Sequence, residues 1–304
     1  LSLHDALPIS SEYQPELLDW VVWDAPRVKF LFSTLEGIFL DQASRFDIPI
    51  LELPSLSKED AKDLVRFYLM EYRKILDSSQ QHDLFQKQEI TKPLYGVVVS
   101  ELLRTFPRFE DLSHYIKALP ETVEGLFSLL IDDVLVEFPT LFAKDTLSWL
   151  ALAKFGLMES DLIRLHEFKH QHRFPAFLYA QFFYYISAYL TNVGSEDQGL
   201  IRPFHAQFTN AIIIAFHSDE EYRKQQYSIL ASLGEEEVRL QLPYVSLSMQ
   251  YMAVYLHYAE EQDRLVRLFR EISLLPEGHR YYDIYRTRSE ERRVGKECRS
   301  RGSA

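Results

Sequence analysis

Cysteine is almost absent from this chain. The only one among 304 residues, Cys298, lies close to the C-terminal end. A disulfide needs two thiols, and a thiolate nucleophile or metal ligand needs at least one thiol in the folded body. The composition therefore excludes an intrachain disulfide, and it leaves residues 1–297 without thiolate chemistry. Scarcity of cysteine is compatible with an intracellular protein, and we expect a cytoplasmic location.

The two ends of the chain can be encoded by opposite strands of one DNA sequence. The N-terminal segment reads SLHDALPI from Ser2, and the C-terminal segment reads SEERRVG from Ser289. One codon choice for the first segment has a reverse complement that encodes the second. We interpret both ends as translated sequencing-adapter DNA and predict artefactual tails at residues 1–9 and 288–304. Gly295-Lys296, which imitates the end of a phosphate loop, then carries no function, and neither does Cys298.

Positive charge and long apolar runs are also scarce. The formal net charge is −12; the two tails carry −1 (Asp5) and +3 (six basic and three acidic residues), so the segment between them carries −14. An acidic segment binds DNA and anionic membranes poorly, and we therefore predict no nucleic-acid partner. No apolar run reaches the ~18 residues that a membrane-spanning helix needs. Gln181 interrupts the most apolar stretch, residues 174–190, so we predict no membrane partner.

Hydrophobic spacing predicts a mainly helical fold after two short strands. The runs at residues 28–32 and 48–53 are short and rich in β-forming residues, which predicts two strands. Ser57 then occupies an N-cap position before an apolar stripe of helical spacing. Helices are predicted at residues 57–76, 80–87, 90–106, 109–118, 121–138, 141–153, 159–170, 175–185, 219–233 and 235–269. Strands at 186–192 and 200–204 flank a polar turn, and another helix starts after His205.

Residues 139–217 therefore have the order helix, helix, helix, strand, turn, strand, helix. This order is typical of a winged-helix domain. Many winged helices bind DNA through the helix that precedes the hairpin. Here that helix, predicted at residues 175–185, is aromatic and uncharged, so we predict that its role is packing.

Three short motifs together resemble a known family. A strand ending in Ser33-Thr34 is followed by L-x-L-P-x-L-S-x-x-[DE] at residues 51–60, and Lys92-Pro93-Leu94-Tyr95 opens a later helix. This order resembles STAND-type P-loop NTPases, in particular the NACHT-like group that contains nephrocystin-3 and telomerase-associated protein. The resemblance covers about residues 17–275. It implies the C-terminal remnant of a P-loop α/β domain at 10–53, a helical domain at 54–138, a winged-helix-like domain at 139–217 and a second helical domain at 218–287.

The resemblance implies nucleotide-binding roles for three residues. In the family, a proline placed like Pro93 faces the adenine, and a histidine placed like His205 reaches the β-phosphate of ADP. Thr34, at the end of the sensor strand, should face the same cleft. Taken alone, Pro93 is better explained as a helix start, and His205 as a capping or core histidine. Lys92 departs from the Asn or Gly that the family often has, and residues 35–37 lack an arginine that many relatives carry.

The chain contains no G-x-x-x-x-G-K-[ST] loop and no acidic pair at the end of a predicted strand. Because phosphoryl transfer needs a phosphate cradle and Mg²⁺ ligands, we predict no catalytic residues, no enzyme activity and no cofactor for this segment alone. The resemblance implies a longer parent, a candidate slow ATPase that binds ATP or ADP with Mg²⁺. The missing N-terminal NTPase half would act in cis, with TPR or WD repeats downstream.

The function that the resemblance implies is regulatory. The nucleotide state would control either oligomerisation, for example into a homo-oligomer, or the binding of a partner. The alternative, from a different class, is a non-catalytic α-helical adaptor or scaffold that never bound nucleotide. An upstream phosphate loop would favour the NTPase. No repeat of fixed period is visible within the segment itself.

Two further patterns imitate functional sites. His166, His170 and His172 form H-x-x-x-H-x-H, and histidines at i and i+4 share a helix face, as zinc sites require. Neither a cysteine nor a clearly placed carboxylate completes the set, so we expect no metal site. Asp132 and Asp133 imitate the acidic end of a Walker B strand, but the helical spacing of their neighbours predicts a solvated helix edge.

Overall fold

The structure of the protein is a computed structural model that describes residues 31, 43, 49–108, 110–171, 176–193, 199–240 and 246–274. The chain divides into two units, residues 1–55 and 56–304. The described part is mainly helical, as predicted, with twelve α-helices and one two-stranded sheet. The predicted tails, residues 1–9 and 288–304, lie outside the described residues.

In the first unit, the predicted strands are not seen in the residues that the structure describes. Leu31, in the first run, is 98% exposed and belongs to neither a helix nor a strand. Residues 49–53 of the second run are irregular, and Leu51 and Leu53 are each 85% exposed. A strand needs a neighbour to supply its ladder hydrogen bonds and to cover its apolar face, and residues 49–53 pair with no described strand. The prediction of a strand at 48–53 is therefore wrong for its described residues.

In the described part of the second unit, eight helices precede a β-hairpin and four helices follow it. The helices before the hairpin are α1 (Lys58–Glu71), α2 (Ser78–Leu84), α3 (Pro93–Thr105), α4 (Leu112–Ala118), α5 (Val123–Glu137), α6 (Thr140–Leu152), α7 (Glu159–His170) and α8 (Ala176–Ile186). A 3₁₀ turn (Ser187–Tyr189) leads into β1 (Leu190–Val193) and β2 (Leu200–Pro203). The hairpin is followed by α9 (Ala206–Phe216), α10 (Glu220–Arg239), α11 (Leu247–Tyr258) and α12 (Gln262–Leu274).

Local side-chain caps explain where several helices begin. The Ser57 hydroxyl accepts a hydrogen bond from the Asp60 amide at 3.1 Å, which confirms Ser57 as the N-cap of α1. Asp77 and Gln80 form a reciprocal capping box at α2. Thr122 caps α5 through the Gly125 amide. Both aspartates lie on this helix, but only Asp132 is exposed as predicted; Asp133 is half-buried, and burial raises the pKa of its carboxyl.

One apolar core runs through the described part of the second unit, from Val65 to Ile272. Helix α3 packs against α1 and α5, helix α9 packs against α5 and α6, and helix α10 packs against α6, α7 and α11. The largest fully buried side chains are aromatic and come from five of these helices: Trp149, Tyr95, Phe127, Phe182 and Phe208. Burial of such rings contributes most of the stabilisation that holds the helices together.

The β1–β2 hairpin is antiparallel and is fixed to the turn that joins α6 and α7. Leu190 pairs with Pro203 and Val193 with Leu200, and Leu157 bridges Ile201 through two backbone hydrogen bonds of 2.8 and 3.0 Å. Gly156, just before the bridge, has a φ of +89°. A Cβ added there would lie 2.7 Å from the Ile201 carbonyl oxygen, so both backbone conformation and close approach require glycine.

Helix α10 runs without a break through Gly234, where the sequence predicted a boundary between two helices. The reason is tertiary: a Cβ at Gly234 would lie 2.6 Å from the carbonyl oxygen of Ser248 and 2.9 Å from Met252 Cβ. Glycine is thus present because α11 crosses α10 at this point with almost no space between the backbones. The predicted break is wrong, and the packing of α11 outweighs the low helix propensity of glycine, which costs about 1 kcal/mol relative to alanine.

Substituting Gly234→Ala is therefore expected to lower the free energy of unfolding by about 2 kcal/mol, because α11 must move away from α10. Chemical denaturation of the wild type and the variant measures this directly. Gly96→Ala in α3 is the matched control: its Cβ would meet only the flexible Leu64 side chain, at 2.8 Å. We expect the control to stay within about 1 kcal/mol of the wild type. A Gly234→Ala variant as stable as the wild type would contradict the close crossing.

Candidate functional site

Pro93 is the first residue of α3 and is exposed, as its position in the sequence predicts. Lys92, at the cap position, makes no side-chain cap hydrogen bond, and proline at the first helical position lacks the amide that would need one. Two residues further, Tyr95 is fully buried and its hydroxyl donates to the Pro120 carbonyl at 2.7 Å. The first turn of α3 is thus fixed to the turn that precedes α5.

A carboxylate forms a second link between the starts of α3 and α5. Glu89 Oε1 lies 2.5 Å from Lys92 Nζ, and Glu89 Oε2 accepts a hydrogen bond of 2.9 Å from the backbone amide of Val123, the first residue of α5. Burial by itself would raise the pKa of Glu89, but the hydrogen bonds from Lys92 and Val123 and the charge of Lys92 outweigh it, and the pKa is lowered. The ionised carboxylate therefore holds the two helix starts together at neutral pH.

The segment before α3 is also held by a buried ammonium group. Lys87 Nζ donates to the carbonyl oxygens of Lys117 and Leu119, at 3.0 and 2.7 Å, at the C-terminal end of α4. It also lies 3.3 Å from a Glu121 carboxylate oxygen, whose second oxygen accepts from the Gln88 amide at 2.8 Å. That backbone hydrogen bond is the main reason why the pKa of Glu121 is lowered. A lysine at a helix C-terminus is favourable because the last carbonyls carry partial negative charge.

His205 is the N-cap of α9 and is exposed. Its Nδ1 accepts a hydrogen bond of 3.2 Å from the Gln207 amide, so a neutral ring carries its proton on Nε2. The Gln207 side chain donates to Glu124 Oε1 at 2.8 Å, and Glu124 lies in the first turn of α5. Phe127 of α5 stacks on Phe208 of α9 with ring centroids 5.1 Å apart. The start of α9 is therefore held against the start of α5.

These contacts connect the N-terminal ends of three helices, with α5 between α3 and α9. The N-terminal end of a helix carries partial positive charge and unpaired amides, which favour an anionic ligand. The nearby side chains oppose an anion in part, because the three carboxylates of Glu89, Glu121 and Glu124 outnumber the two ammonium groups of Lys87 and Lys92. The amide of Val123 is already occupied by Glu89. At the start of α9 the Gln207 amide is likewise occupied, by His205 Nδ1, so a contact with a phosphate there would fall to the His205 ring.

Of the three residues that the resemblance implies, two are described. Pro93 and His205 both start helices and both are exposed, and their helices are joined through α5. That they contact one nucleotide stays a prediction. Thr34 lies outside the described residues, so its position in the same cleft also stays a prediction.

The histidines at residues 166 and 170 form hydrogen bonds within the core. His166 is buried, stacks on Phe142 and has Nε2 2.9 Å from the hydroxyl oxygen of Thr146. His170 Nε2 lies 3.1 Å from Asp145 Oδ2. Within the described ranges no group of three or more His, Cys, Asp or Glu residues could hold a metal ion. His172 lies outside those ranges.

Asp145 is a fully buried carboxylate at the junction of three helices, and the sequence analysis missed it. From α6, its Oδ1 accepts a hydrogen bond from Lys169 Nζ of α7 at 2.6 Å and from the Tyr222 hydroxyl of α10 at 2.9 Å. His170 contacts Oδ2. A signal was present in the sequence, because Asp145 shares a helix face with Phe142 and Trp149 in an otherwise apolar pattern. A carboxylate on that face must be buried and needs a cationic partner.

Several buried polar groups of the described residues have no hydrogen-bond partner. Trp149 Nε1, both ring nitrogens of His217 and the side-chain amide of Gln226 are buried and have no hydrogen-bond partner among the described residues. His217 stacks on Tyr222, with ring centroids 5.7 Å apart. Burial lowers the pKa of His217 to about 4, and the charges of Arg223 and Lys144 act in the same direction. Burial likewise raises the pKa of Tyr222. Asp145 and its hydrogen-bond partners join α6, α7 and α10.

A cleft of about 210 Å³ lies elsewhere, between α7, α8 and β2, and its lining includes Ile163, Tyr179 and Ile201. Neither Pro93 nor His205 lines it. Among the helices in the described ranges, none is long and apolar enough to span a membrane.

Comparison of the chain with protein-family models, with curated proteins and with solved structures finds no match. The family resemblance therefore rests on the motifs at residues 33–34, 51–60 and 92–95.

Proposed function

We propose that the chain is the nucleotide-sensing lid of a STAND/NACHT-like signalling ATPase, which couples the ADP or ATP state to oligomerisation or partner binding. The observation that carries the proposal is the junction of helix starts, in which α5 joins the N-terminus that bears Pro93 to the N-terminus that bears His205. The phosphate loop and the Mg²⁺ ligands belong to an upstream part of the parent protein.

Pro93 is suited to contact the adenine ring. Its ring is rigid and apolar, and it is exposed at the start of α3. The Tyr95–Pro120 hydrogen bond and the link from Glu89 to Val123 hold this helix start in place. A flat base can therefore pack against Pro93 without a change in the backbone. Lys92 forms an ion pair with Glu89, and this pair holds the Lys92 ammonium group beside the turn that precedes α3.

His205 is suited to contact a phosphate oxygen of ADP. The Gln207 amide hydrogen bond to Nδ1 directs the proton of the neutral ring to Nε2, which is then a donor. Helices α6, α7 and α8, the β1–β2 hairpin and α9 follow the order of a winged helix, with His205 directly after the hairpin. Glu124 opposes a phosphate near α9, so the upstream phosphate loop must provide most of the binding energy and His205 a smaller, state-dependent part.

The test uses the longer protein that contains this segment together with its phosphate loop. We expect His205→Ser to weaken ADP binding by roughly tenfold, because a hydrogen bond to a charged group contributes about 1.5 kcal/mol or more. Serine is a good N-cap, so the helix start should be kept. Basal oligomerisation, measured by light scattering, should rise because the ADP-bound state is less favoured.

His82→Ser is the matched control, since His82 is an exposed histidine of α2. Its ADP affinity and oligomerisation should equal those of the wild type. If His205→Ser also leaves both quantities unchanged, His205 is only a capping residue. If the longer protein does not bind ADP at all, the α-helical adaptor is the better description of the chain.

A further inference from the structure

A small cleft between α10 and α12 has an unusual concentration of arginine. Its volume is about 130 Å³, and its lining residues are Glu235, Arg239, Arg264, Arg267, Leu268 and Glu271. Three guanidinium groups and two carboxylates thus meet in a chain whose formal net charge is −12. The cleft lies on different helices from Pro93 and His205, and it is independent of the function proposed above.

Arg264 forms the fixed wall of this cleft. Its Nε and Nη2 each donate to one oxygen of Glu235, both at 2.8 Å, which is a bidentate ion pair. Its Nη1 also donates to Glu261 at 2.8 Å and to the Ser228 hydroxyl at 2.7 Å. The charge of Glu235 is therefore balanced by Arg264, and the position of the Arg264 guanidinium is set by Ser228, Ser232 and Glu235 of α10 together with Glu261.

Arg239 and Arg267 have no such partners. Both are exposed, and neither forms a hydrogen bond or ion pair through its side chain with another residue that the structure describes. Arg267 acts on Glu261 only at longer range. Against the effect of burial, hydrogen bonds from Ser228 and Arg264 lower the pKa of Glu261, and the charge of Arg267 adds to them. Glu271 is the one remaining carboxylate among the residues that line the cleft. With Glu235 balanced by Arg264, the other lining charges sum to one positive charge.

We propose that this cleft binds a phosphoryl dianion through Arg239 and Arg267. Guanidinium groups present paired donors that match the oxygens of a phosphate, and a dianion gains more than a monoanion from two of them. A volume of about 130 Å³ is well below the ~300 Å³ at which pockets for drug-sized ligands begin. It therefore suits a single phosphoryl group rather than a nucleotide. The group is provided either by free inorganic phosphate or by a phosphorylated side chain of a peptide.

The experiment titrates the complete chain with inorganic phosphate at constant ionic strength and follows binding by NMR chemical shifts. Arg239→Gln and Arg267→Gln are each expected to weaken binding by roughly tenfold, since each removes one charge-assisted contact. Glu271→Gln should strengthen binding several-fold, because it removes the opposing carboxylate. Arg270→Gln is the matched control: it removes the same charge from an exposed position of α12 that does not line the cleft.

A second arm compares a phosphoserine peptide with its unphosphorylated form. A phosphopeptide that binds more tightly than inorganic phosphate, with the same dependence on Arg267, would identify a modified partner as the source. Equal affinities would identify free phosphate. The proposal is overturned if the wild type shows no saturable binding, or if Arg270→Gln weakens binding as much as Arg267→Gln does.

Discussion

Asp145→Asn is expected to lower the free energy of unfolding by about 3–5 kcal/mol, the usual cost of removing one partner from a buried ion pair. The carboxylate is fully buried, and Lys169 lies 2.6 Å from it with its side chain only 14% exposed. Asparagine keeps the shape of the side chain but removes the charge that stabilises the Lys169 ammonium. Urea denaturation at neutral pH measures the loss.

A double-mutant cycle with Lys169→Met separates this charge pairing from packing. Because the methionine removes the unpaired cation, the double variant should be destabilised by clearly less than the sum of the two single variants. Glu59→Gln provides the surface control, since the Glu59–Lys62 pair is exposed and should contribute about 1 kcal/mol or less. An Asp145→Asn loss no larger than that of the control would show that Asp145 does not hold α6, α7 and α10 together.

Acid is expected to weaken the fold through His217 by roughly 3 kcal/mol between pH 6.5 and pH 4. The pKa of this histidine is about 4 in the folded protein, against an ordinary value of about 6.5 in the unfolded chain. In that range the unfolded chain binds the proton and the folded chain does not. Stability is therefore complete above pH 6.5 and falls as the pH decreases towards 4. The charges facing His217, those of Lys144 and Arg223, oppose its protonation.

The check is the free energy of unfolding at several pH values for the wild type and for His217→Phe. Phenylalanine keeps the ring that stacks on Tyr222 but does not titrate, so the variant should lose the part of the pH dependence that His217 causes. Carboxylates such as Glu89, whose pKa is lowered, also reduce stability in acid, and they act equally in both proteins. His82→Phe, at an exposed position, should keep the wild-type slope. Equal slopes for His217→Phe and the wild type would contradict a buried, neutral His217.

The sequence by itself determined where many helices begin. Ser57, Thr122 and Pro93 act on amides within one turn of their own positions, so their effect does not depend on the rest of the fold. Helical spacing around Asp132 was also sufficient to distinguish a helix edge from a strand, because residues three or four apart share a face in any helix. For the candidate site, the same local signals placed Pro93 and His205 at helix starts.

Only the tertiary structure decided the features that depend on a second element. In the sequence, Gly234 indicates a helix boundary. In the structure, glycine is required because α11 packs so closely against α10 that a side chain does not fit. Residues 49–53 have strand composition, but a strand also needs a neighbour, and no described strand pairs with them. The partners of Asp145, Lys169 and Tyr222, lie on two other helices. Arg239 and Arg267 line the same cleft although they are 28 residues apart in the sequence. Contacts between distant segments leave no periodic pattern in a single sequence, because the packing of the helices determines which residues meet.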